Sequence, residues 1–249
     1  TTVFVSLALL IWYVYLQIIN NTVQVVVVQT LGYSETIKGL IILMTNLLPL
    51  FLIPLFARMS DNTIVKEQGE SSTLIQKVFR GRRMPFIVIG TLITSALLIA
   101  SILFARFGTG SSAILGYGIL FSLSAIGISV YRPSAMALLP DVTPKPFREN
   151  ANSICNIVSG LGSLVVIITI AIFGESKSGM LWVYIFSVGS LIVFMFVSLL
   201  SINETKLVKQ CAIETKALYN EEPEEELKVK TKFSTYYKAM EKGKKKSLT

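Results

Sequence analysis

Two sets of side chains in this sequence have the types and spacing to do chemistry. Gln17, Asn20, Asn21 and Gln24 fall three and four residues apart in an otherwise apolar run, which places them on one helical face. Amides in hydrocarbon are expensive unless they pair or face a water-filled cavity. Two readings are open: hydrogen bonds that hold helices together, or a lining that binds the hydroxyls of a neutral polar solute. Asn46 in the next apolar run, and Asn156 on a face with Asn152, Ser159 and Ser163, belong to the same class. The second set is charged. Asp61 closes one apolar run and Arg82 and Arg83 open the next, within Gly81-Arg82-Arg83-Met84-Pro85-Phe86, while Asp141 and Arg148 flank a later junction. Such a carboxylate and arginine pair either latches two membrane helices together or only fixes their topology. Arg132 stands apart, seven residues before the end of its apolar run and thus about 10 Å deep at a rise of 1.5 Å per residue. A cation there costs about 2.5–3.5 kcal/mol unless it snorkels to the surface.

Other chemistries find no residues. The sequence has no His, Cys155 lies in an apolar block and Cys211 in a charged tail, so neither a disulfide framework nor a metal-ligand spacing is present. There is no Ser-His or Cys-His pair, no carboxylate pair within the apolar runs, and no phosphate-cradling glycine loop followed by Lys. We therefore expect no catalytic residues, no metal, no cofactor and no enzyme activity. A net charge of +8 would suit a nucleic-acid partner, but the basic residues sit between apolar blocks and in the tail, not on one folded surface.

The elements that must position these residues are membrane helices. Hydrophobic residues make up 52% of the chain, charged residues 15%, and mean hydropathy is +0.64; the apolar residues come in blocks of the length that spans a bilayer. Six spans are predicted, at 4–28, 37–57, 85–105, 112–139, 151–173 and 180–201. Pro49 and Pro54 free carbonyls and bend the second span. Gly118, Ser122, Ala125, Ser129 and Arg132 form a small, polar stripe on the fourth, and Gly160 and Gly162 in the fifth suit close approach of another backbone. Pro140, Pro144 and Pro146 break the helix between the fourth and fifth spans. The loop 58–84 is expected to carry a mobile insertion. Residues 202–249 form a charged tail in which Phe233, Tyr236, Tyr237 and Met240 recur at helical spacing among lysines, either a basic amphipathic helix on the membrane surface or a solvated linker.

Of 23 Lys and Arg, all but Lys38, Arg106 and Lys177 lie in the loops after the second and fourth spans, at Arg132, or in the tail. The positive-inside rule then puts both ends and the loops bearing Asp61 and Asp141 in the cytoplasm of a multi-pass protein, with the plasma membrane the expected location.

In this pattern the chain resembles one half of a major facilitator superfamily transporter. It is most similar to the sugar-transporting branch, the glycoside-pentoside-hexuronide cation symporters and their sucrose-type relatives. Ser60-Asp61 followed by Gly81-Arg82-Arg83-Met84-Pro85-Phe86 resembles the signature between the second and third helices. Arg132-Pro133, Ala137-Leu138-Leu139-Pro140-Asp141, Arg148 with Ala151-Asn152, and Gly160-Leu161-Gly162 resemble that branch's fourth helix and the loop and helix after it. The chain departs at Ala57 and Asn62 and by the insertion before Gly81, and no Asp or Glu lies within the six spans, where melibiose-type relatives hold their coupling cation. The resemblance implies an all-α membrane protein: residues 1–201 as the N-terminal six-helix bundle, then a cytoplasmic central loop at 202–249. It implies transport of a sugar or glycoside by alternating access, with a proton or sodium ion as possible co-substrate. Gln17, Asn20, Gln24, Asn46 and Asn156 would bind the solute, and Asp61, Arg82, Arg83, Asp141 and Arg148 would latch the cytoplasmic side. The start at Thr1 and the closing Lys-Lys-Lys-Ser-Leu-Thr lead us to expect a longer chain on both sides, or failing that a second half or self-dimer as partner. A membrane scaffold or receptor-like protein that keeps this fold without transporting is the competing expectation.

Overall fold

The computed structural model describes residues 2–62, 81–173 and 177–219. Among them there is no strand, and six helices are long and apolar enough to cross a membrane. Helix α1 (Thr2–Gln17) continues through π-helical turns at Ile18–Thr22 and Val25–Thr30. There follow α2 (Glu35–Asp61), α3 (Met84–Phe107), α4 (Ser111–Val142), α5 (Arg148–Phe173) and α6 (Lys177–Ser201). A last helix, α7 (Glu204–Tyr219), is of mixed polarity. The chain divides into two compact units, Thr1–Cys211 and Ala212–Thr249. In the second, the described residues are the final turns of α7; the lysine-rich segment with Phe233, Tyr236, Tyr237 and Met240 lies outside the described residues, as does 63–80 of the expected insertion.

The first unit is built on two central helices. Helix α4 packs against α2, α3 and α1, and α1 in turn packs against α5 and α6. The core is correspondingly rich in α1 and α4 side chains, including Ile11, Tyr15, Ile18, Tyr117, Phe121 and Tyr131. Helices α3 and α4 approach most closely at Gly90 and Gly127: a Cβ on Gly90 would meet the Gly127 carbonyl at 2.6 Å. Small residues at such a crossing allow the backbone contact that drives helix association in lipid. Buried polar pairs tie α4 to α1 and α6, with Tyr15 Oη 3.0 Å from Ser124 Oγ and Tyr117 Oη 2.8 Å from Tyr184 Oη. Helices α2 and α5 lie at the flanks and leave apolar residues such as Leu47, Phe51, Ile157 and Leu161 exposed.

Three details differ from an ideal reading of the sequence. The first span winds partly as π-helix, at Ile18–Thr22 and Val25–Thr30, with Gln17, Asn20, Asn21 and Gln24 all off its buried side. Helix α4 passes through Pro140 to Val142 before breaking at Thr143-Pro144, so Arg132 lies ten residues inside its end, about 15 Å along the axis. Gly162 does pack against Leu10 of α1, whereas nothing lies within 4 Å of the Cβ position of Gly160.

Candidate functional site

The charged residues converge where α2 ends and α3 begins. Pro85 within the first turn of α3 pre-sets that helix start, and Arg83 sits immediately before it, its side chain only 5% exposed. Its guanidinium donates from Nη1 to Asp61 Oδ1 at 2.6 Å and to Ser60 Oγ at 3.0 Å, and from Nε to Asp141 Oδ2 at 3.0 Å. Ser134 Oγ on α4 donates to Ser60 Oγ at 3.0 Å, and Arg82 Nη2 reaches Asp61 at 3.2 Å. One guanidinium therefore ties α2, α3 and α4, a role that a fork of five donors fills and an ammonium does not. The expected latch members Asp61, Arg82, Arg83 and Asp141 are all brought together. Arg148 is not: it donates to the carbonyls of Thr143 at 3.2 Å and Pro140 at 2.9 Å, so it caps the end of α4.

Sequence reasoning missed Glu204. Its carboxylate accepts the backbone N–H groups of Arg82 (3.0 Å), Arg83 (2.9 Å) and Met84 (3.1 Å), satisfying donors that the start of α3 leaves without helical partners. Gly81 is required beside it, because a Cβ there would collide with Glu204 Oε2. The signal was present: an acid at the first position of the helix after the sixth span. Burial pushes the Glu204 carboxyl above its ordinary value of 4.5, outweighing the backbone donors that pull it down. A raised folded pKa means that the folded state holds the proton more tightly than the unfolded one. Its stabilising contribution is thus full below pH 4.5 and falls as pH rises through the folded value. Glu204→Gln is expected to flatten that slope in a thermal-unfolding series across pH. Glu204→Ala leaves the N–H groups without an acceptor, at about 1–3 kcal/mol.

Toward the middle of the bundle α1, α2 and α4 enclose a cleft of about 300 Å³, lined by Trp12, Tyr15, Thr45, Asn46, Ile128 and Arg132 and by Pro49 and Pro54 of α2. The two prolines remove intrahelical bonds where the wall must bend. The Arg132 guanidinium lies 4.2 Å from the centre of the Trp12 ring, a cation–π contact. Of the five amides expected to bind solute, Asn46 alone lines this cleft, with one N–H spent on the Ile42 carbonyl at 2.9 Å. Gln17 accepts a bond from Asn21 at 2.7 Å, and Asn20 and Asn156 are exposed elsewhere. Gln24 donates to Glu35 at 2.9 Å and accepts from Lys38, forming a polar cluster at the junction of the first span with α2. Trp12 was not anticipated; its place in the cleft follows from which helices adjoin, not from its spacing. Among the described residues no group of His, Cys, Asp or Glu is placed to hold a metal ion.

Six membrane-crossing helices, a half-open and largely apolar cleft bordered by Thr45, Asn46 and Arg132, and a cluster of charges joining α2, α3 and α4 define a multi-pass membrane bundle. The Major Facilitator Superfamily model matches residues 5–239, and the chain belongs to that superfamily of membrane transporters. No curated protein and no solved structure matches the chain.

Proposed function

We propose that this chain is a six-helix half of a plasma-membrane transporter that moves a sugar or glycoside by alternating access, with both ends in the cytoplasm. The observation that carries this reading is the cleft: Thr45, Asn46 and Arg132 line it together with Pro49 and Pro54 of α2, in the same bundle as the Arg83 latch. Its volume falls at the lower end of the about 300–1,000 Å³ common for small-molecule sites. A second bundle closing over the cleft would complete a midplane site, and the latch would hold the cytoplasmic side shut in one of the two states. The motifs around Asp61, Arg132 and Asp141 support the sugar-transporting branch. Among the described residues no carboxylate lines the cleft, so this bundle offers no acidic side chain there for a coupling proton or sodium ion.

The test is uptake by cells expressing the native gene. Saturable accumulation of a labelled sugar is expected, and Asp61→Ala should lower it up to about fivefold, the equivalent of about 1 kcal/mol in the closed state, at unchanged membrane levels. Unimpaired uptake in Asp61→Ala would remove the latch from the mechanism. Specific binding without accumulation would favour a receptor-like protein instead.

A further inference from the structure

We infer that residues 18–30 of the first span are a register switch, π-helical as observed and α-helical in a second state reached by a one-residue shift. Such a switch operates whatever solute enters the cleft. Two π-helical turns, Ile18–Thr22 and Val25–Thr30, follow one another in this stretch. A π-turn closes its hydrogen bonds five residues on instead of four, and so holds one residue more than an α-turn. The carbonyls it releases are those that the N–H groups of residues 21 and 22 would take in an α-helix. Side chains hold them instead: Asn21 Nδ2 donates to the Gln17 carbonyl at 3.1 Å, and Thr22 Oγ1 donates to the Ile18 carbonyl.

Straightening the first turn to α advances every residue beyond it by one position, a rise of about 1.5 Å and a rotation of about 100°. In a mixed sequence that replaces each buried side chain with a different one. Here the chain reads Val25-Val26-Val27-Val28, so the buried sites of Val26 and Val27 receive Val25 and Val26, which conserves volume. The buried site of Val23 receives Thr22, whose hydroxyl bonds within its own helix. What the shift breaks is polar. Gln24 leaves Glu35 and Lys38 of α2, and Thr22 leaves the Tyr184 hydroxyl, 3.4 Å away on α6. Ile19, inside the first π-turn, lines the cleft, so an occupant of the cleft bears on the switch.

The register is read by cross-linking in membranes of cells expressing the native gene with Cys211→Ser. Gln24→Cys with Glu35→Cys reports the observed register, in which these two side chains are hydrogen-bonded at 2.9 Å. Val23→Cys with Glu35→Cys reports the shifted one, because Val23 is fully buried as observed and takes the place of Gln24 only after the shift. Glu35→Cys alone is the blank. A short bifunctional methanethiosulfonate should link both pairs. Asn21→Leu with Thr22→Val should raise the Val23 adduct about fivefold, the effect of losing one net hydrogen bond. Deleting Asn20 removes the extra residue; it should abolish the Val23 adduct and keep the Gln24 adduct, which also shows that the segment is folded in place. Absence of the Val23 adduct from both the parent and the Asn21→Leu, Thr22→Val protein, or its survival when Asn20 is deleted, overturns the inference. Should the deletion protein fail to reach the membrane, the Asn21→Leu, Thr22→Val comparison decides alone, and an adduct no larger than the parent's overturns the switch.

Discussion

Arg83→Met should destabilise the bundle by about 2–3 kcal/mol, the upper range for losing charge-assisted hydrogen bonds whose other partners are partly exposed. The asymmetry of the latch explains why this residue and not its neighbours. Arg83 is 5% exposed and Asp61 54%, so the Arg83–Asp61 contact alone is screened by solvent and contributes at most about 1 kcal/mol. The larger loss comes from the inner side. Without the guanidinium, the buried Ser60 hydroxyl is left with Ser134 as its donor and Asp141, 29% exposed, loses its counter-ion. Arg83→Lys should fall between wild type and Met, since an ammonium cannot meet Ser60, Asp61 and Asp141 together. Thermal unfolding in detergent of the three proteins, with Asp61→Ala alongside, checks the order. An Asp61→Ala loss as large as that of Arg83→Met would contradict this distribution of energy.

Gly127→Val should be nearly as damaging, by a different route. A Cβ at Gly127 would stand 2.6 Å from the Thr94 nitrogen and 2.8 Å from the Gly90 carbonyl, and both atoms belong to the backbone of α3. Neither can rotate away, so α3 and α4 must separate along the most extensive packing surface in the bundle. Overpacking alone costs about 1–3 kcal/mol, and lost contacts along the seam add to it. Gly160→Ala is the control: nothing lies within 4 Å of that Cβ, and replacing glycine in a helix gains about 1 kcal/mol of propensity. The expected result is a markedly lower unfolding temperature for Gly127→Val and an unchanged or raised one for Gly160→Ala. Equal effects at the two glycines would show that the α3–α4 approach is not what holds the bundle.

The six spans were legible because hydrocarbon demands about twenty apolar residues per crossing, and that demand is written in one dimension. The meeting of the charges was legible for a related reason. Charges are rare enough in such a chain that Asp61, Arg82, Arg83 and Asp141, all at helix ends, had few other places to pair. The cleft was not legible. Arg132 stood out as a cation without a partner, but only the packing of α1 beside α4 brings Trp12 to it. The amides stay off the buried side of the first span, but spacing could not show that Gln17 pairs with Asn21 or that Gln24 is drawn to Glu35 and Lys38. Glu204 escaped because the stretch after the sixth span was read as the start of a polar tail, when its first helical residue reaches back to the N-terminus of α3.

Alternating access makes one demand that no static scaffold meets: the cleft must open in turn to each side of the membrane. Asn46 lines the cleft and is exposed to it, so Asn46→Cys, with Cys211→Ser and with Cys155 buried, places the one reactive thiol of residues 1–249 at the point in question, and the same protein with Asn46 kept is the labelling blank. Labelling with a membrane-impermeant maleimide, applied to intact cells and to inverted membrane vesicles, is the direct measurement. Modification from both sides is the result expected of a transporter. Modification from one side only, whatever solute is supplied, would contradict alternating access and leave a binding protein with a transporter's fold.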